Sequence, residues 1–219
     1  MAPSRTFASI ARKPTWILPL AIATGLALPL SEFVLSRTDF RKMMTARMAA
    51  RGAQLTESQI DAVVEKARSL AWLGGIGALL MPSILTLAVA GILWVGCQAF
   101  GWEVRFLQSL GVTSHAFLPA TLGSAALMAV LWNRNTIDLA TIRDALHTNL
   151  GFFVNPQSDR ALHSLLASFD LFSFWGMGLL VLGLSSAARS SRVRMGVLVG
   201  SLWALFVLGK VGFSFLLPV

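Results

Sequence analysis

The side chains that most often carry chemistry are few in this sequence and poorly spaced for it. Histidine occurs at His115, His147 and His163, without the His-Glu-x-x-His spacing that puts two imidazoles and a carboxylate around one metal ion. There is no Gly-x-Ser-x-Gly elbow and no phosphate-binding glycine loop. Ser124, between Gly123 and Ala125, has the small neighbours of an intramembrane nucleophile, but no histidine offers it an obvious base. A helix–helix contact explains those small neighbours better. The single cysteine, Cys97, excludes an internal disulfide and reads as a small buried hydrophobe. These residues predict no catalytic group, no cofactor and no metal site, and hence a protein that is not an enzyme. Two ionisable residues remain inside apolar stretches, Asp170 and Lys210. Charge is costly in hydrocarbon, so such residues are pairing or functional candidates.

The elements that must position them are membrane helices. Of 219 residues, 55% are hydrophobic and 13% charged, about half the charge of an average soluble domain. Mean hydropathy is +0.69. Apolar runs at about 16–35, 72–100, 107–132, 165–187 and 195–217 are each long enough to cross a ~30 Å hydrocarbon core at ~1.5 Å per residue. The expected fold is all-α: one polytopic membrane domain over 1–219, a bundle of about five transmembrane helices with short interfacial helices. The first run holds Pro19 and Pro29 and leads to Glu32, unlike a cleaved signal segment, and is read as a retained span. Pro29 should bend its far end, and Pro82 and Pro119 should interrupt the second and third.

The net charge of +8 is carried by basic residues that flank apolar runs, such as Arg12, Lys13, Arg37, Arg41, Lys42, Arg189, Arg192 and Arg194. Anionic headgroups and a positive-inside bias account for that placement, and no nucleic-acid partner is expected. The N-terminal tail and the short connections 101–107 and 188–194 together hold Arg and Lys with Glu103 as their only acid, which places them on the cytoplasmic side.

Two longer polar stretches lie between spans. Residues 39–51, with Phe40, Met44 and Met48 at helical spacing, predict a short helix on the headgroups, ended by Gly52. Thr56 and Gln59 form a capping-box pattern, followed by Ile60, Val63, Val64 and Ala67 on one face, so a helix should start near Glu57 and run on into the second span. Leu139, Ile142, Leu146 and Leu150 suggest another surface helix, Asn155-Pro156 a break, and Ser158 the cap of the next helical segment. Gly196, Gly200 and Ala204 recur every four residues in the last span, the pattern of close helix packing. The tight turn between the last two spans makes them a hairpin. Pairing Ala187 with Arg194 puts Asp170 opposite a position one residue from Lys210, which predicts an intramembrane ion pair.

The run Asp170-Leu-Phe-Ser-Phe-Trp175, then Gly183-Leu184, the basic turn and a last apolar helix resembles the Yip1 family of membrane proteins. The similarity is best over 161–216, with Asp170, Phe172, Trp175 and Gly183 as its motif residues. The resemblance implies a five-span fold with a cytoplasmic N-terminus. Eukaryotic members bind small GTPases through a long N-terminal region; about fifteen residues precede the first span here, so no small GTPase is expected. Compact prokaryotic members include accessory subunits beside ABC-type export systems. The expected function is thus a non-enzymatic scaffold or accessory subunit in a bacterial cytoplasmic membrane. Its expected partners are the lipid bilayer and other membrane proteins, an ABC-type transporter among them, or a second copy. The alternative is a small transporter, channel or lipid-moving protein.

Overall fold

The computed structural model describes residues 3–50, 52, 56–139, 142–155 and 158–216. The expected positions of Arg51, Pro156 and Leu217 lie outside these. The chain runs α1 (Pro3–Arg12), α2 (Ile17–Ser36), α3 (Phe40–Ala50), α4 (Glu57–Ser69), α5 (Trp72–Ala99), α6 (Phe106–Ala116) and α7 (Leu118–Leu131). Two 3₁₀ turns come next, Ile142–Leu146 and Leu150–Phe153, then α8 (Arg160–Leu166), α9 (Leu171–Ala187) and α10 (Arg192–Leu216). Among the described residues there is no strand; extended pairing is limited to isolated bridges of Thr38 with Ile137 and Asn149 with Asp170. The fold is an all-α bundle.

Among the described residues four segments are long and apolar enough to cross a membrane: Ile17–Ser36, Trp72–Ala99, Phe106–Leu131 and Arg192–Ser214. The third comprises α6 and α7. Leu171–Ala187 is apolar but 17 residues long, about 26 Å of helix. Large apolar side chains stand exposed around the outside, including Ile17, Leu85, Val95, Val197 and Phe206, as a lipid-facing belt requires.

The prolines act differently. At Pro119 the helix is interrupted at Phe117, because the ring cannot donate to the carbonyl four residues back and collides with it. Helix α5 runs through Pro82 unbroken, and α2 through Pro29. The carbonyl of Pro82 also accepts a 2.6 Å hydrogen bond from Thr86 Oγ1.

The main core sits at the end of the bundle that carries the N-terminus. Phe7, Ile10 and Ala11 of α1, Leu93 and Cys97 of α5, Val112 of α6, Leu180 and Leu184 of α9, and Met195 and Leu198 of α10 are buried together. Helix α1 lies where the sequence reading expected only a tail, packed on α9 and α6. Its Phe7, Ile10 and Ala11 have the i, i+3, i+4 spacing of a buried stripe, and that was the available signal. A smaller cluster of Val34, Leu131 and Ile137 closes the opposite end.

On that opposite side α3 and α4 pack against each other. The capping box forms, with Gln59 Oε1 accepting from the Thr56 amide at 2.9 Å. Arg41 bridges to Glu57 and Asp61, and its hydrogen bond to Glu57 and the charge of Asp61 hold the guanidinium pKa above its ordinary value. Gly52 comes after α3 at φ +69°, a left-handed position that suits glycine. Helix α4 does not run smoothly into α5. Leu70 and Ala71 tighten the chain, with Leu73 and Gly74 amides bonded to the Leu70 and Ala71 carbonyls three residues back.

Three local expectations change. Ile142–Leu146 folds as a 3₁₀ turn, with Leu139 and Ile142 packed on the Val34–Leu131 cluster, so tertiary contact replaces a surface helix. Asp159, not Ser158, caps α8, accepting from the Leu162 amide at 2.8 Å, while Ser158 Oγ donates to the Asn155 carbonyl. Asp159 directly precedes the first helical residue, and its carboxylate also presents negative charge to the helix start. Finally, small residues of α9 are among those that allow close packing inside the bundle. A Cβ at Gly183 would lie 2.3 Å from Val112 Cγ1 and 2.8 Å from Phe7 Cδ1, and one at Gly176 would lie 2.9 Å from the Ala116 carbonyl oxygen. Gly196 and Gly200 of α10, the stripe that the sequence marks for close helix packing, have no atom within 4 Å of such a Cβ.

Candidate functional site

Asp170 is an intramembrane charge by the sequence. It does not lie inside a span. The chain leaves helix after α8, and the Leu150 amide bonds to the Phe169 carbonyl while the Leu171 amide bonds to the Thr148 carbonyl. That short antiparallel pairing holds Asp170 extended, at φ −112° and ψ 139°, as the N-cap of α9. Its Oδ1 accepts from the Ser173 amide at 3.0 Å and from Ser173 Oγ at 3.3 Å, and Oδ2 accepts from Thr148 Oγ1 at 2.7 Å. The fourth span therefore begins at Leu171, not near residue 165.

The expected pairing with Lys210 gives way to this cap. On α10 the level of Asp170 is marked by Trp203, whose ring centroid lies 5.4 Å from Phe169 and 5.6 Å from Phe174. Lys210 is seven residues further along, about 10 Å of helix. The hairpin arithmetic assumed that helix continues from residue 165 to 187; the unwound turn before Asp170 breaks that assumption. Asp170→Ala should therefore cost about 2 kcal/mol in denaturant unfolding of the detergent-solubilised protein, the scale of a lost cap plus a side-chain hydrogen bond. Asp170→Asn, which still caps, should cost less than about 0.5 kcal/mol. An ion pair with Lys210 would make the Asn variant nearly as damaging as the Ala one.

The other motif residues have structural tasks as well. The Phe172 ring lies against Gly123, where an added Cβ would stand 2.9 Å from Cδ2. Gly183 admits Val112 and Phe7 as described, and Trp175 faces outward, half exposed.

Two adjoining cavities lie beside the cap. The smaller, about 300 Å³, is lined by Asp170, Thr148, Asn149 and Ser173 on one side and Ser124 and Gly123 on the other. The structure thus brings Ser124 and Asp170 to one cavity, although they are 46 positions apart. Ser124 Oγ is bonded to the Ala120 carbonyl at 3.1 Å. None of the histidines lines this cavity: His115 Nδ1 is 2.8 Å from the Gly111 carbonyl, and His147 stacks on Phe152. Among the described residues no three His, Cys, Asp or Glu side chains gather as a metal site.

The larger cavity, about 640 Å³, lies between α2, α5 and the α6–α7 break. Leu26, Leu30, Met81, Leu85, Phe117 and Leu127 dominate its walls. Five hydroxyls line it, and four are spent on nearby backbone carbonyls: Thr86 on Pro82, Ser114 on Gly111, Thr121 on Phe117 and Ser124 on Ala120, with Ser31 the fifth. Most of the surface left facing the space is hydrocarbon. A site of this size and lining suits an acyl chain or an apolar side chain, and it lacks the ring of free polar groups that an ion path needs. Sequence reading missed it, because nothing local marks where three helices part. The interruption at Pro119 was the nearest signal.

No curated protein and no solved structure matches the chain. The Yip1 domain does match, over residues 1–213, a stretch that takes in every helix from α1 to most of α10. Gly183, Phe172 and the Asp170 cap all lie within that stretch, and the chain belongs to the Yip1 family of multi-pass membrane proteins.

Proposed function

We propose that this Yip1-family chain is a non-enzymatic scaffold, an accessory subunit that holds another membrane protein beside it in a bacterial cytoplasmic membrane, with the N-terminus inside. An ABC-type exporter is the leading partner and a second copy the other. The observation that carries this reading is the small-residue stripe on α10. Gly196 and Gly200 have the spacing that lets helix backbones approach, yet a Cβ at either would meet no atom within 4 Å. In lipid, where apolar contact alone gives little drive, such a stripe favours a further helix.

The test is cysteine crosslinking from positions 196 and 200 in a Cys97→Ser background, in native membranes, with the captured protein identified. A transporter subunit or a second copy should be trapped, and Gly196→Leu with Gly200→Leu should abolish recovery while leaving unfolding unchanged. Purified protein that stays monomeric and traps nothing would refute the scaffold reading. A cytoplasm-only fluorescent reporter after Val219 should stay dark; a bright one reverses the orientation.

The 640 Å³ apolar cavity supports a second reading, a lipid-moving protein. Transfer of labelled phospholipid between leaflets of reconstituted vesicles, lost when Ala78→Trp fills the cavity, would favour it over the scaffold.

A further inference from the structure

A second polar feature lies at the other end of the bundle, where α1, the 101–105 connection and the 188–191 turn meet. There a pocket of about 450 Å³ is lined by Arg12, Arg105, Arg189, Gln108, Ser186 and small residues of α1 and α9. Three arginines from three separate segments line it, and no acidic residue does. Like charges gathered without a counterion repel, and this arrangement is stable only with an anion or abundant water between them.

The frame of the pocket is fixed while its charges are left available. Gln108 uses both ends of its amide structurally, donating to the Ala11 carbonyl at 2.7 Å and accepting from the Arg105 amide at 2.9 Å. That ties the end of α1 to the start of α6. Arg12 spends only its Nε, on the Ala8 carbonyl at 3.2 Å, which leaves its terminal nitrogens for a ligand. Arg189 holds a left-handed backbone at φ 49°, strained for any residue but glycine, and asparagine or glycine would fit that turn better. The next residue, Ser190, has a buried hydroxyl with no hydrogen-bond partner among the described residues. Strain and an unmet hydroxyl at one charged turn indicate a turn chosen for what it presents.

The depth identifies the ligand chemistry. The pocket lies level with the start of α6 at Phe106 and the end of α9 at Ala187, and the stacked pair Phe100–Trp102 is placed as interfacial aromatics are. Phosphate is the anion found at that level, and planar guanidinium forks bind it bidentately. We propose that Arg12, Arg105 and Arg189 form a binding site for a phosphate monoanion or diester, supplied by an anionic lipid headgroup or by free phosphate.

The experiment uses the full chain purified in neutral detergent. Retention of phosphatidylglycerol is read by native mass spectrometry, with phosphatidylcholine as reference and inorganic phosphate as competitor. Selective retention of phosphatidylglycerol that phosphate does not displace supports the headgroup source. Displacement by phosphate, or a melting temperature raised by phosphate alone, supports the free anion. Each arginine replaced by glutamine should weaken retention roughly fivefold. Arg5→Gln with Arg192→Gln and Arg194→Gln, equal in charge removed but outside the pocket, should change it less than about twofold. Arg189→Gly guards against misfolding, since it relieves the strained φ and should keep or raise the melting temperature while still losing retention. Equal retention by the wild type, Arg189→Gly and the pocket triple variant would overturn the site, as would equal loss in the outer triple.

Discussion

Gly183→Val is expected to cost about 3 kcal/mol and to free α1 from the bundle, the upper end of what overpacking a filled core brings. The first atom added already falls 2.3 Å from Val112 Cγ1 and 2.8 Å from Phe7 Cδ1, and neither can retreat easily. Val112 has no exposed surface and sits on α6, while Phe7 is 4% exposed and anchors α1. Both are held by Leu180, Leu184 and Ile10 in the same cluster. Denaturant unfolding in mild detergent measures the loss, and trypsin cleavage after Arg12, at the exposed end of α1, should accelerate. A double-mutant cycle isolates the cause. Val112→Ala removes the two Cγ atoms that collide, so Gly183→Ala with Val112→Ala should lose less than the sum of the single changes. Strict additivity would show that the contact is not what limits position 183.

Removing Arg37 should have the next largest effect, about 2–3 kcal/mol for Arg37→Met, by the same unfolding measurement. Its Nη1 donates to the carbonyls of Trp132 at 2.5 Å and Arg134 at 3.1 Å, and reaches that of Leu131 at 3.5 Å. The Leu131 and Trp132 carbonyls close the C-terminal end of α7 and carry the negative end of its dipole, and that of Arg134 belongs to the turn that follows, whose amide bonds back to Leu131 at 2.9 Å. The guanidinium also lies over the Phe33 ring at 4.2 Å, and that ring stacks on Trp132 at 5.6 Å. One cation thus joins the ends of α2 and α7, and the Ile137 amide closes the junction by donating to the Arg37 carbonyl at 2.9 Å. Arg37→Lys should recover about half, because an ammonium keeps the charge but not the flat fork that serves several carbonyls while stacking on a ring. Full recovery by lysine would mean that charge alone matters there.

The range of each interaction decides how much of this was legible in the residues. Spans, caps and breaks depend on a few neighbours along the chain. The apolar runs that became α2, α5, α6–α7 and α10, the Thr56–Gln59 box and the interruption at Pro119 were therefore readable, and so was the family, whose motif is a short local string. Facing is a different matter. In a soluble helix the polar side shows which side is buried, but a membrane helix is apolar toward both lipid and bundle, so that periodicity is lost. The spacing of Gly196 and Gly200 on α10 does not say which helix they would meet, and they leave open space beside them, while Gly176 and Gly183 of α9 make close approaches inside the bundle. Asp170 looked like an intramembrane charge in search of Lys210, because an unbroken helix from 165 was assumed. Only a bridge to residue 149, 21 positions away, unwinds the chain there and turns the aspartate into a cap. The gathering of Arg12, Arg105 and Arg189, each unremarkable as a flanking charge, likewise required three segments to meet. The sequence by itself determined that this chain is a bundle of membrane helices of the Yip1 family, because hydrophobic length and local capping decide that. Tertiary structure alone decided which faces meet, which charges converge and where space is left between helices, because those depend on contacts between residues far apart in the chain.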